Sequence, residues 1–385
     1  MILLPFYKRI TTKISEMSIQ SKNKQRIFGL DVVRALAIIL VLFSHVYYLI
    51  DLNHPSIIAL SGLIGFTGVE LFFVLSGFLI GSILLKNYVE HNFTKKDLFV
   101  FLKRRWFRTL PSYYLVLFLN IILALFMGYS LENIGRYFFF LQNFSAYYIT
   151  IFSESWSLSV EEFTYILAPV ILFIVGKIWN YNRKISFLLI TLLLLFFFNG
   201  VRYFYYLNSS INDMDQWNTQ LKLIVIYRVD AIIIGFLVAW IHYYYGNLLK
   251  KYSVYLFIIA VHLYFLQFVV FNVYGFDIHT QPLYFRVFYF TFCAFTFAMG
   301  LPVFIYWEKA NFKISKIITG ISKISYSMYL LHYSIITVIL KKMLYDKYII
   351  LSNILVIVLY FLGTFVFSYF LYRFYEKPLM QLRDK

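Results

Sequence analysis

The sequence predicts an all-α, polytopic membrane protein, and three observations carry that prediction. Hydrophobic residues make up 61% of the 385 residues and charged residues only 14%, more apolar surface than a water-soluble domain of this length can bury. Apolar runs of about 20 residues recur along the whole chain, the length a helix needs to cross a bilayer. Lys and Arg fall mostly in the short segments between those runs. Backbone groups in lipid must be bonded internally, so helices are the default, and continuous apolar runs argue against the short alternating strands of a barrel.

Ten spans are expected, at about 29–50, 59–85, 109–127, 156–176, 185–203, 221–241, 252–272, 284–306, 322–342 and 349–372. Alternate connections (1–28, 86–108, 177–184, 242–251, 307–321 and 373–385) carry 26 of the 35 Lys and Arg residues, counting Lys323 at a span edge. The intervening connections, with their flanks, carry seven. That asymmetry puts both termini in the cytoplasm. It also accounts for the net charge of +17 without nucleic-acid binding. The first apolar run is long and lacks a small-residue cleavage site, so it is read as a span and not as a signal peptide. No connection exceeds about 28 residues, so no appended soluble domain is expected. The single cysteine, Cys293, cannot form an intrachain disulfide, and no metal site is expected.

Span one contains RALAIILVLFSH, with Arg34 and His45 eleven residues apart. Eleven steps of about 100° return to nearly the same helix face, about 16 Å further along the axis. An ionisable residue inside a span has a partner or a task. Either Arg34 and His45 are an ion-paired arginine and a core histidine, or they grip the two ends of a long ligand, with an anion at Arg34 and a general base at His45. Span two contains GVELFFVLSGFLIG. Its small residues allow close helix approach. Ser76 fits packing or a ligand hydrogen bond, and Glu70 is either structural or orients His45.

Ahead of span three, KRRWFRTLP places Arg105 and Arg108 three residues apart. They serve as a membrane anchor or a phosphate fork. At span four, SESWSLSVEEF holds adjacent Glu161 and Glu162, which point about 100° apart and cannot share a target. In YRVDAIIIG, Arg228 and Asp230 face nearly opposite ways, so each needs a partner on a different helix. His332, in ISYSMYLLH, reads as a satisfied core histidine or a site residue.

These pieces, with the closing YEKP and in this order, resemble the family-3 membrane acyltransferases over nearly the whole chain. The resemblance implies an integral-membrane enzyme that moves an acyl group, usually acetyl, from cytoplasmic acyl-CoA to a hydroxyl of a cell-surface or lipid-linked glycan. Residues 29–373 would be the acyltransferase domain, between a cytoplasmic N-terminal segment (1–28) and a cytoplasmic tail (374–385). The enzyme would stand alone in the cytoplasmic (inner) membrane, without the hydrolase-like domain that some members carry. His45 would be the base, helped by Glu70 or Glu161. Arg34, Arg105 and Arg108 would hold acetyl-CoA, with Ser76 beside it. The rival class is a transporter or flippase of a lipid-linked sugar, with Arg34, Glu70, Arg228 and Asp230 lining its path.

Overall fold

The computed structural model describes residues 26–50, 54–90, 93–179, 182–346 and 353–382. Most of the expected N-terminal segment and the last residues of the tail lie outside the described residues. Among the described residues there is no β-strand, and eight helices are long and apolar enough to cross a membrane.

Helix α1 (Phe28–His45) continues as a 3₁₀ turn to Leu49. Helices α2 (Pro55–Glu90) and α3 (Lys95–Met127) are each about 50 Å long, more than the hydrocarbon core requires. α3 begins at a capping box of Thr94 and Asp97 and ends at left-handed Gly128, φ 71°, the two local signals that start and stop a helix. Then come α4 (Ser155–Ile178), α5 (Arg183–Asn208), α6 (Val229–Phe265) and α7 (Tyr289–Ile305). Then follow α8 (Ser315–Leu331), a π turn (His332–Thr337), α9 (Val338–Asp346) and α10 (Asn353–Phe370), which continues as helix to Leu382.

Ten expected spans and eight long helices are reconciled by two of these elements. With its π-helical extension, α6 runs to Val273 as one 45-residue helix, about twice the length that crosses a bilayer. It bends at Tyr245, whose φ of −129° and ψ of 32° are not helical. Arg228, at its start, is paired with Glu70 of α2, and Tyr264, near its far end, lies 3.0 Å from Thr67 of the same helix. The element therefore passes α2 twice, as a helical hairpin, and holds both expected spans six and seven. Expected span nine is α8 and α9 together, interrupted by the π turn. Ser322 bonds Asp31 of α1 and His332 lies against His45, so this broken element runs parallel to α1.

Close approach holds the centre together. A Cβ on Gly77 would sit 2.0 Å from the Ile232 carbonyl oxygen, so α2 and α6 meet backbone to backbone. Lipid supplies little hydrophobic drive between helices, and small residues at the contact let dispersion do that work. Two buried ion pairs tie the same region. Arg228 pairs with Glu70 of α2, and Arg202 of α5 pairs with Asp230 at 2.7 Å. Arg228 and Asp230 thus find partners on different helices, as their two-residue spacing requires. Thr291 also bonds Asp230, at 2.5 Å, and the Arg228 guanidinium lies 4.2 Å from the centre of the Phe290 ring.

The connection from 128 to 154 is not a solvated loop. Tyr137, Gln142 and Asn143 are fully buried. Gln142 donates to Ser159 at 2.8 Å, and Asn143 donates to the Trp156 and Leu223 carbonyls at 3.0 and 2.6 Å. Irregular backbone is tolerated in a bundle when protein groups satisfy it in this way.

Candidate active site

One cavity of about 100 Å³ opens between α1, α2, α3, α4 and α8. Arg34, Ser76, Arg105, Arg108 and Glu161 all line it, so five of the seven residues to which the resemblance gives a site role converge on one space. Proline does not break α3 before it delivers its two arginines: Pro111 sits inside the helix, just after Arg108. Among the described residues neither Arg105 nor Arg108 has an ion-pair partner within 4 Å. The Arg105 guanidinium is 5.8 Å from the centre of the Tyr165 ring. Arg34 donates to Ser322 Oγ at 3.1 Å and lies 3.4 Å from Asp31, whose other contacts are Arg26 and the Ser322 hydroxyl. Three guanidinium groups on one cavity are the kind of donor set that can hold an anion.

Polar groups continue up the wall. Tyr165 donates to Glu161 Oε2 at 2.8 Å and also bonds Ser76. Glu162 takes a different partner, accepting from Thr109 Oγ1 at 2.7 Å, which is the divergence that adjacent helix positions impose. At the far end of the cavity, Tyr329 bonds Ser157 at 2.6 Å and donates to the Glu154 carbonyl at 3.1 Å.

His45 is not a wall residue of this cavity. It sits at the end of α1, about 16 Å along the axis from Arg34, with Nδ1 2.8 Å from the Val41 carbonyl oxygen. A carbonyl only accepts, so Nδ1 carries the proton and Nε2 is the basic nitrogen. Its ring centre is 4.9 Å from His332 and 4.6 Å from Tyr333. Neither Glu70 nor Glu161 bonds His45 among the described residues. Glu70 is committed to Arg228 and Glu161 to Tyr165.

Sequence reasoning passed over Tyr165, Tyr329 and Glu154. Tyr165 follows Glu161 by one helical turn, and that spacing was its available signal. Tyr329 and Glu154 meet only through the packing of α8 on α4, which no local pattern announces.

Fold and site together define a class: a multi-pass helical membrane protein with a basic pocket at one end and a histidine deeper on the same helix. Residues 27–373 match the acyltransferase-3 family, described as an acyltransferase domain, and the chain belongs to that family. It is 28% identical over 375 residues to the O-acetyltransferase OatA of Staphylococcus aureus (strain NCTC 8325 / PS 47), covering 91% of this chain and 57% of the relative. It is 32% identical over 193 residues to YrhL of Bacillus subtilis (strain 168), provisionally named a peptidoglycan O-acetyltransferase, covering 46% of this chain and 28% of the relative. The chain spans little more than half the length of OatA and less of YrhL. No solved structure matches it.

Proposed function

We propose that the chain is an integral-membrane O-acyltransferase that moves an acyl group, acetyl by preference, from cytoplasmic acyl-CoA to a hydroxyl of a cell-surface or lipid-linked glycan. The observation that carries this reading is the convergence of Arg34, Arg105 and Arg108 on one cavity, with His45 on the same helix at about the reach of an extended pantetheine arm. Coenzyme A has phosphates at one end and a thioester at the other, and the site has matching ends. Orientation follows from the charge bias: the arginine end is cytoplasmic, in the cytoplasmic membrane. Membership of an acyltransferase family and the names of the relatives support the same chemistry.

In the mechanism this implies, His45 Nε2 takes the proton of the acceptor hydroxyl. The oxygen attacks the thioester carbonyl carbon, the tetrahedral adduct collapses, and the C–S bond breaks. The proton on His45 passes to the departing thiolate, so CoA leaves as the thiol and the histidine is neutral again. Val41 holds the required tautomer throughout. The transporter alternative drew on Arg34, Glu70, Arg228 and Asp230; of these, Glu70 and Arg228 pair with each other and Asp230 pairs with Arg202, which leaves only Arg34 of the four on the open cavity.

Purified protein in lipid, given labelled acetyl-CoA and a glycan lipid, tests the reading. His45→Ala should lose turnover by about 10²–10⁴-fold while CoA still binds, and Arg34→Ala should chiefly weaken CoA binding. If wild-type protein neither binds nor consumes acetyl-CoA with any glycan lipid supplied, the donor assignment fails.

A further inference from the structure

The second histidine is the least explained group in the bundle. His332 is fully buried. Its Nδ1 lies 2.8 Å from the Tyr329 carbonyl oxygen, so that nitrogen bears the proton and Nε2 carries the lone pair. Nε2 is buried and has no hydrogen-bond partner among the described residues. A second orphan is tied to the same turn. Glu154 is buried at the start of α4, and its Oε1 accepts from the Ser334 amide and hydroxyl at 3.1 and 2.8 Å. Its Oε2 has no hydrogen-bond partner among the described residues. Ser334 is two residues from His332 in the same π turn, so one turn carries the histidine and clamps the carboxylate. Leaving both a basic nitrogen and a carboxylate oxygen buried and unbonded costs free energy, and such groups persist where they have a use.

Beside this pair is His45. The two imidazoles meet with ring centres 4.9 Å apart and planes at 72°, and each offers Nε2 as its free base. We infer that His332 is a positioning residue for His45 in the transfer reaction: its imidazole packs against the His45 ring and, with the Glu154 carboxylate clamped to the same turn, steadies the positive charge that His45 takes up. The inference rests on the acyl-transfer reading above.

The proton balance is that of the reaction itself. The acceptor O–H gives one proton to His45, and the neutral histidine pair becomes a pair bearing one positive charge. When the C–S bond breaks, the thiolate takes that proton back through His45 and the pair is neutral again. No other proton donor is consumed. An imidazolium alone in an apolar site is expensive. A second imidazole lone pair and a carboxylate lower that expense at the moment charge appears, which is when it affects rate. Other ionisable groups facing the pair are the phenols of Tyr48 and Tyr333 in ring contact and Tyr329 one turn back, and Lys222, whose charge reaches His45. Glu154, held by Ser334 on the same turn, is the carboxylate available to balance the charge.

The experiment compares wild type with His332→Asn and Glu154→Gln in lipid, using labelled acetyl-CoA. Asparagine keeps a donor for the Tyr329 carbonyl and removes the titrating nitrogen. His332→Asn should lower kcat by about 10–100-fold and leave the KM for acetyl-CoA within about twofold. The pH at half-maximal kcat should move, because two coupled groups become one. Combining His332→Asn with His45→Ala should add no further loss to that of His45→Ala alone. A wild-type pH profile in His332→Asn overturns the inference. So does a loss of kcat that tracks a loss of folded protein, if Glu154→Gln, which should also move the profile, folds and titrates like wild type. Failure of wild-type protein itself to consume acetyl-CoA counts against the acyl-transfer reading instead.

Discussion

Two regions of this bundle bury arginine, and they treat it in opposite ways. Between α2, α5 and α6, Arg228 and Arg202 are fully buried and each is bonded to a carboxylate, Glu70 or Asp230. Around the cavity, Arg105 and Arg108 face open space with no ion pair among the described residues. In lipid an uncompensated charge is costly. Arginine sealed against acid therefore holds helices together, and arginine left facing a cavity points to an anion that comes and goes. The distinction separates charges sealed against a partner from charges that face a cavity.

The largest predicted effect tests the sealed half. Arg228→Leu leaves the Glu70 carboxylate buried without its partner and should lower stability by about 3–5 kcal/mol, read as a fall in thermal unfolding temperature in detergent. Combining it with Glu70→Leu removes the orphan charge and should recover most of that loss. A single variant that unfolds at the wild-type temperature would break the comparison.

Much of this contrast was already legible in the sequence, and the reasons it was legible are physical. Arg34 and His45 share a helix face because of helical geometry alone, and Arg228 and Asp230 must diverge for the same reason. Hydropathy located the spans and read α6 as two of them, because the polar and basic stretch 242–251 interrupts the apolar run at the bend, where the structure carries the helix through as one hairpin. Glu70 was open between orienting His45 and a structural role, and sequence could not decide, because its partner Arg228 is distant in the chain and is brought to it by a backbone contact at Gly77. Glu154 and His332 were equally out of reach. Their meaning lies in bonds that a π turn makes across α4, and a π turn has no sequence period of its own.

The open half is tested next. Arg105→Gln and Arg108→Gln remove cations that make no ion pair within 4 Å among the described residues, so unfolding temperature should stay close to wild type. Binding of CoA should weaken by about 10–100-fold for each, the worth of about 1.4–2.8 kcal/mol per lost charge-assisted contact. Titration of protein in lipid with CoA, followed by heat, measures it. Equal losses of stability and binding would mean that these arginines are membrane anchors and that the two regions do not differ.

The smallest effect concerns Ser76, which lines the cavity but belongs to neither kind of charge. Its hydroxyl bonds Tyr165, and Tyr165 has one proton, which it gives to Glu161 at 2.8 Å. Ser76 must therefore be the donor to the Tyr165 oxygen, and its own proton is not free for a ligand. Ser76→Ala removes one neutral hydrogen bond and no charge, so stability should fall by about 0.5–1.5 kcal/mol and CoA affinity should change by less than about threefold. Tyr165→Phe removes the bond to Glu161 as well, and strands a carboxylate on the cavity wall beside Arg105, so its effect on CoA binding should exceed that of Ser76→Ala. If Ser76→Ala instead weakens CoA binding as strongly as Arg105→Gln, the serine touches the donor directly. The polar chain from Ser76 through Tyr165 to Glu161 would then be part of the binding surface and not a brace behind it.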